Sequence, residues 1–103
     1  MKLKDLAEII RSKNSGPYEL TLDVMFRTDE DFRRVLASGV ICEKTVCALY
    51  RIPPEKIVSI VAFPPARAIK ATIERPLCSG DPGETDVYGA QQHAPLLDLE
   101  VNL

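Results

Sequence analysis

The residues best suited to chemistry lie together in one polar stretch near the end of the chain, residues 80–95. This stretch contains the only histidine, His93, and three of the five glycines of the chain. Because histidine titrates near neutral pH, His93 is the natural candidate for a general acid or base. Asp86 and Tyr88 are close enough in sequence to orient it if the stretch folds back on itself. His93, Asp86 and Tyr88 are therefore the candidate catalytic residues.

The same stretch is too irregular for a helix and too polar for a buried strand, which predicts a long loop. Small domains that keep a long loop commonly use it for binding or catalysis. Gln91 and Gln92 add hydrogen-bond donors and acceptors for a polar ligand or for the exposed backbone of a partner. The alternative is that His93 only ties its own loop together through backbone hydrogen bonds.

A second polar stretch, residues 11–16, reads Arg-Ser-Lys-Asn-Ser-Gly. Arg11, Lys13 and Asn14 place two cations and an amide beside a glycine turn, an arrangement that can hold a carboxylate or a phosphate. The spacing is not that of a phosphate-binding loop. A helix-capping turn with exposed charges explains the same residues. Asp23, on the polar face of a predicted strand, is a weaker third candidate.

Charge and hydropathy exclude several classes of function. Thirteen lysines and arginines stand against fifteen acidic residues, a net charge of −2, which argues against a nucleic-acid partner because such binding depends on phosphate neutralisation. No apolar run approaches the length of a membrane span, and no signal-peptide core is found. We therefore expect a soluble, cytoplasmic protein with no membrane partner.

The three cysteines, Cys42, Cys47 and Cys78, are odd in number and match no paired metal spacing. Cys42 and Cys47 would lie about 140° apart around a helix, so they would not share a face. We expect three reduced, unbridged thiols, no metal and no cofactor. A reactive Cys78 is the alternative interpretation, and it lacks a local histidine partner.

The hydrophobic pattern predicts one domain, residues 1–103, with four strands. Alternation over residues 18–26 predicts a half-buried strand, and the nearly continuous apolar run at residues 57–63 predicts a central strand covered on both faces. Residues 68–75 alternate as well and are expected to form the hairpin partner of that central strand. A last strand is predicted over residues 96–101.

Three helices are predicted, over residues 3–12, 28–39 and 42–50. Thr28 is expected to cap the second helix and Gly39 to end it. Four strands with helices grouped between them predict an α+β domain. Its expected form is a single-layer mixed, mainly antiparallel four-stranded sheet with helices packed on one face.

The residues of two segments, 11–23 and 83–97, resemble a family of short bacterial proteins described only as a domain of unknown function. The resemblance extends over nearly the whole chain. Domains of this kind are found beside, or fused to, larger proteins of the acyclic terpene utilisation type (AtuA-like), which belong to the catabolism of organic acids and acyl thioesters. The resemblance implies a small accessory subunit or partner of an AtuA-like catabolic protein. It brings no catalytic residues.

Two functions of different classes follow. The first is an accessory subunit of an AtuA-like protein. The second is a small stand-alone enzyme or ligand-binding protein that uses the 80–95 loop, with His93 as acid–base and a small acidic ligand. A third possibility, a purely structural homo-oligomer, is compatible with the sequence but explains the long loop poorly. We also expect the stretches at residues 11–16 and 86–95 to meet in space, which requires the last strand to run parallel beside residues 18–26 or the loop to fold back.

Overall fold

The structure is a computed structural model that describes residues 1–15, 18–74 and 94–102. Their elements follow in the order α1 (Leu3–Leu6), β1 (Ala7–Asn14), β2 (Glu19–Phe26), α2 (Asp29–Ser38), α3 (Glu43–Tyr50), β3 (Ile57–Phe63), β4 (Ala68–Glu74) and α4 (Ala94–Leu97). Single turns of 3-10 helix, Pro54–Lys56 and Pro64–Ala66, precede and follow β3.

The strands form one sheet in the order β1-β2-β4-β3, and each neighbouring pair is antiparallel. Two hairpins, β1–β2 and β3–β4, therefore meet in the middle of the sheet through β2 and β4. The predicted α+β class, with a four-stranded sheet and helices on one face, is confirmed.

Alternation along the two central strands directs one row of side chains from each into the core. On β2 these side chains are Leu20, Leu22, Val24 and Phe26, and on β4 they are Ile69, Ala71 and Ile73. The described helices contribute to the same cluster through Leu3, Leu6, Phe32, Val35, Val46 and Leu96. Because apolar burial is the main favourable term in folding, this one cluster fixes which face of the sheet the helices cover.

The predicted signals at both ends of α2 are confirmed. The Thr28 side chain accepts a hydrogen bond from the backbone N–H of Asp31 at 3.1 Å, which satisfies one of the free donors of the first turn. Gly39 ends the helix in the left-handed conformation, with φ of 68°. The strands predicted over residues 18–26, 57–63 and 68–75 are also present, within a residue at either end.

The prediction of one helix over residues 3–12 is wrong. The helix α1 is a single turn that ends at Leu6, and the chain continues as strand β1. Both Leu3 and Leu6 are buried, so the helical spacing holds for that turn alone. Beyond it, a hairpin closed by the bond from Ser15 N–H to the Glu19 carbonyl at 2.9 Å pairs β1 with β2. The ladder of backbone hydrogen bonds outweighs the local helical pattern.

The last strand predicted over residues 96–101 is also wrong. Leu96 lies in the turn of α4 and is buried in the core, and the place beside β2 is taken by β1. The chain then runs beside its own N-terminus, where Leu3 N–H donates to the Leu99 carbonyl and Val101 N–H donates to the Met1 carbonyl, both at 2.8 Å. This pairing amounts to one isolated bridge and adds no strand to the sheet.

The third correction concerns the position of β3. This strand was predicted at the centre of the sheet, but it lies at an edge and pairs only with β4 among the described residues. Its side chains Val58, Val61 and Phe63 are exposed. A continuous apolar run is typical of a strand covered on both faces. Packing within the described part of the chain therefore does not account for the apolar sequence of β3.

Candidate functional site on the open face of the sheet

The face of the sheet opposite the helices carries the polar candidates. The strand register places Arg11, Asp23, Lys70 and Val61 in one row across the four strands. The rows on either side are Ile9, Met25, Ala68 and Phe63, and Lys13, Thr21, Thr72 and Ser59. These three rows are called the open face below.

Asp23 lies at the centre of the open face, between two cations. Arg11 Nε donates a hydrogen bond to Asp23 Oδ2 at 3.1 Å, and Lys70 Nζ lies 3.9 Å from Asp23 Oδ1. The Asp23 side chain is only 9% exposed, although it points away from the core. Since Arg11 and Lys70 stand directly opposite it on the neighbouring strands, we attribute this burial to their aliphatic stems, which can lie along the carboxylate on both sides.

One oxygen of that buried carboxylate has no hydrogen bond. Asp23 Oδ1 is inaccessible to solvent and unpartnered, because the Lys70 ammonium lies beyond hydrogen-bond distance. The same ammonium lies over the ring of Phe63, 5.4 Å from its centroid, so the aromatic face also attracts it. A buried acceptor without a donor is costly. The open face thus contains a polar group that an added donor, or a small movement of Lys70, would satisfy.

The charges around Asp23 favour an acidic group. Arg11, Lys13 and Lys70 lie on the open face, and Asp23 neutralises only one of these three cations. At the far end of β4, Glu74 is already paired with Lys56 at 3.0 Å. A carboxylate or phosphate that approached the β1 side of the open face would meet Arg11 and Lys13, although Glu19, in register with Glu74, lies on the same side of the sheet.

Apolar side chains surround this polar centre. Ile9, Val61 and Phe63 belong to the open face and are exposed to solvent. Exposed apolar side chains grouped around polar ones are typical of a surface that binds another molecule. On the open face, the charged row that contains Asp23 lies next to the row that contains Ile9 and Phe63.

The predicted ligand-binding residues of the second polar stretch divide between the two faces. Arg11 and Lys13 lie on the open face, on a strand and not in the capping turn that the sequence suggested. Asn14 pairs in register with Leu20, a core residue, so its side chain belongs to the helix-covered face. The structure therefore joins Arg11 with Asp23 and separates both from Asn14.

The predicted catalytic residues His93, Asp86 and Tyr88 lie outside the described residues. So do Gln91 and Gln92, which were predicted to bind a ligand. The expected meeting of residues 11–16 with residues 86–95 is therefore untested and stays a prediction.

Sequence reasoning missed Lys70 and Phe63 as members of the site. Lys70 occupies a polar position in the alternating pattern of β4, and Asp23 occupies one in β2. Opposite charges at such positions are a signal for cross-strand pairing. The signal becomes specific only when the register is known, because a shift of two residues would pair Asp23 with a threonine instead.

The helix-covered side of the sheet offers no comparable site among the residues that line its small cavity. This cavity has a volume of about 10 Å³ and is lined by Leu22, Val24, Ile41, Val46, Ile69, Ala71 and Leu96. Every lining residue is apolar, and the space is no larger than one water molecule. This cavity therefore offers no polar group to a ligand, whereas a separate, more open pocket beside helix α2 is lined by Arg34, Ala37, Ser38 and Asn102.

The thiols and the tyrosine of α3 have different environments. Cys42 and Cys47 are free thiols. A hydrogen bond with the Thr45 hydroxyl, 3.4 Å from Cys42 Sγ, lowers the pKa of Cys42. Burial raises the pKa of Tyr50. Cys78 lies outside the described residues, so the prediction of three unbridged thiols is met only for the two that are described.

Metal-ligand clusters and membrane-spanning helices are both absent from the described residues. Within residues 1–15, 18–74 and 94–102, no three histidine, cysteine or acidic side chains group closely enough to hold a metal ion. In that same part of the chain, every helix is too short or too polar to cross a membrane.

The fold and the open face define a small α+β domain whose sheet presents a charged centre bordered by apolar side chains. The chain belongs to the family described as domain of unknown function DUF4387, which matches it over residues 3–100. No curated protein and no solved structure matches the chain.

Proposed function

We propose that this protein is a small accessory subunit that docks onto a larger AtuA-like catabolic protein through the open face of its sheet. The observation that carries the proposal is Asp23 Oδ1, a buried carboxylate oxygen without a donor on a face that also exposes apolar side chains. The resemblance of residues 11–23 and 83–97 to domains found beside AtuA-like proteins supports the choice of partner.

The chemistry of the open face suits a protein partner. Covering Ile9, Val61 and Phe63 would remove apolar area from water, which is the main favourable term in association. A donor from the partner could complete the hydrogen bonds of Asp23, and a partner carboxylate could neutralise Arg11. Buried charged groups of this kind contribute mainly to specificity and to the rate of association.

The size of the chain favours an accessory role. With 103 residues, it can bury one core and little more. The open face supplies three cations and one carboxylate, which can position an acidic group. We therefore place the chemistry of the proposed complex in the larger protein.

Co-expression with the AtuA-like protein of the same organism tests this proposal, and a matched pair of variants locates the interface. Ile9 on the open face and Leu36 on helix α2 are similarly exposed, at 40% and 44%. We expect Ile9→Lys to weaken the complex at least about tenfold, since a charge would be buried against apolar surface. Leu36→Lys should change the dissociation constant less than about twofold, because its environment stays solvated.

Two results would contradict the proposal. One is the absence of any complex between the wild-type proteins at micromolar concentrations. The other is a complex that Leu36→Lys weakens and Ile9→Lys does not, which would move the interface to the helices. Circular dichroism and the melting temperature of each variant establish that the fold is retained.

The alternative function, a stand-alone enzyme or ligand-binding protein, is favoured by one observation. Three cations, Arg11, Lys13 and Lys70, lie on one face with a single carboxylate between them. Titration of the isolated chain with a short dicarboxylate and with inorganic phosphate separates the two functions. Saturable binding that both Lys13→Ala and His93→Ala weaken would support the alternative, and its absence would leave the accessory role.

A further inference from the structure

We propose that two copies of this chain associate through the outer edge of β3 and join their sheets into one continuous sheet. Among the described residues β3 pairs only with β4. Its other edge therefore presents backbone N–H and C=O groups that an additional strand can bind. Addition of a strand to such an edge is a common mode of protein association.

The composition of β3 supports a covered edge. Its seven residues, Ile-Val-Ser-Ile-Val-Ala-Phe, include no charged side chain. Edge strands that face water are normally interrupted by lysine, other charges or proline, since an apolar edge pairs with other chains. Val58, Val61 and Phe63 are all exposed in the single chain. The sequence of β3 is typical of a strand with a neighbour on each side, but within one chain β3 lies at the edge of the described sheet.

Two features limit the regular part of the edge to five residues. The register with β4 is irregular between Ile57 and Ser59, which marks a bulge at the start of the strand. After Phe63 the chain turns into Pro64, which has no backbone N–H to donate. Regular pairing with a second copy is therefore confined to Ser59–Phe63.

The centre of this segment is Val61, and an antiparallel pair of copies has a two-fold axis there. Val61 then faces its own copy, Ser59 faces Phe63, and Ile60 faces Ala62. Each residue of a pair lies on the same face of the joined sheet, as continuous pleating requires. The register between the two copies follows because Val61 is the midpoint of Ser59–Phe63, the segment available for regular pairing.

The identity of the occupant follows from the fit of this segment to itself. In that register each small side chain stands opposite a large one, Ser59 opposite Phe63 and Ala62 opposite Ile60. No charge meets a like charge, because the strand has none. An isologous interface needs a surface that complements itself under a two-fold axis, and this segment does. A second copy of the chain is therefore the occupant that we infer.

The association uses the backbone edge of β3, whereas the docking proposed above uses the open face; Val61 and Phe63 belong to both. A joined sheet has β1 at both outer edges and keeps the two open faces on one side, available to a larger partner. The ladder of five residues is short compared with standard interfaces. We therefore expect dimers whose fraction rises with protein concentration.

Sedimentation of the full chain over a range of concentrations tests the proposal, with charge variants at the axis. Val61→Lys and Val61→Glu each place two like charges opposite one another, so each should raise the dimer dissociation constant at least about tenfold. An equimolar mixture of the two variants places opposite charges at the axis and should restore association to within about threefold of wild type. Leu36→Lys, similarly exposed at 44% against 43%, should leave it unchanged.

Val61→Glu is the variant better suited to folding, because Lys70 of the same sheet stands beside it in the row. If Val61→Lys does not fold, the dimer dissociation constant of Val61→Glu alone tests the proposal. A wild-type chain that stays monomeric up to millimolar concentration would overturn the proposal. So would association that the variants leave intact, or a mixture of folded variants that fails to associate.

Discussion

The two edge strands of the described sheet, β1 and β3, each leave one edge without a neighbouring strand, but β1 is charged and β3 is not. Each pairs with only one neighbour among the described residues. β1 carries Glu8, Arg11 and Lys13, all exposed, and β3 carries no charged residue. Charges on an edge oppose pairing with another chain, and their absence permits it. The difference agrees with the proposed dimer, in which β1 is a terminal edge of the joined sheet and β3 is an internal strand.

The charges of β1 also have a second role. Arg11 bonds to Asp23 on the neighbouring strand, so the charge that protects the edge also completes the polar centre of the open face. On β3, Val61 occupies the same row without any such bond. The β1 edge thus contributes to stability through its side chains, whereas β3 would contribute through its backbone in the proposed dimer.

The largest expected effect is the loss of stability on replacing Arg11 with alanine. This change leaves Asp23 Oδ2 without its donor in a side chain that is 9% exposed. We expect the free energy of unfolding in urea to fall by about 1–2 kcal/mol, the cost of an unsatisfied buried acceptor moderated by Lys70 nearby. Lys13→Ala, on the same strand and face, is the control and should cost less than about 0.5 kcal/mol. Equal costs for the two variants would remove the distinction between Arg11 and an ordinary edge charge.

The sequence predicted the strands that contribute most to the core and misplaced those at the margins. β2 and β4 alternate between apolar and polar residues, so their existence and the side chains that they direct into the core follow from burial of one face. Their pairing with each other was not predicted. The β1 segment was taken for a helix because Leu3, Leu6, Ile9 and Ile10 fit a helical spacing. The pairing of this segment with β2 decides between helix and strand, and a pattern within residues 3–12 does not contain that pairing.

The position of β3 and the candidate site were hidden for a related reason. A continuous apolar strand has the same sequence whether its second neighbour comes from its own chain or from another, so the sequence could not assign it to an edge. Arg11, Lys13 and Asp23 were each noticed as candidates. Their grouping on one face, and the separation of Asn14 from them, depend on which strands are neighbours, and no local pattern contains that information.

The next prediction concerns the charges of β1, whose removal would make this edge strand resemble the uncharged β3. Glu8→Val with Lys13→Val removes two edge charges and keeps Arg11 for Asp23. If β3 already joins two copies, a β1 that keeps Arg11 as its one charge, paired with Asp23, should pair further at each outer end and give open-ended assemblies larger than a dimer. Light scattering should detect them at concentrations where wild type gives only the dimer.

The same double change in a Val61→Lys background provides the control for that experiment. With the β3 edge blocked, β1 can join only two copies, so assembly should stop at a dimer. Open-ended assembly in this background would show that another surface mediates it. Unchanged size in the wild-type background would show that the charges of β1 are not what ends the sheet.

The smallest effect concerns the anchor that holds the start of β1. Lys2 Nζ and Lys4 Nζ lie 3.3 Å and 3.4 Å from Asp98 Oδ1, beside the bridge between Lys2 and Glu100. The hydrogen bond and charge of Lys2, followed by those of Lys4, lower the pKa of Asp98 below its ordinary value. A lowered folded-state pKa stabilises the protein above the ordinary carboxyl value and loses this contribution as pH falls through the lowered one.

Asp98→Asn should therefore reduce the melting temperature slightly at pH 7 and have no effect once the pH is low enough to protonate Asp98 in the wild type. The group is fully exposed, so the difference at neutral pH should shrink further in molar salt, which screens exposed pairs. Melting curves of both proteins between pH 2 and pH 7, roughly the range over which carboxylates titrate, give the measurement. A difference that grows as the pH falls would mean that Asp98 acts through something other than its charge. In that case the segment before β1 would be held by the backbone bonds of Leu3 and Val101, by the Met1 ammonium 3.2 Å from Glu100 Oε1, and by the burial of Leu3.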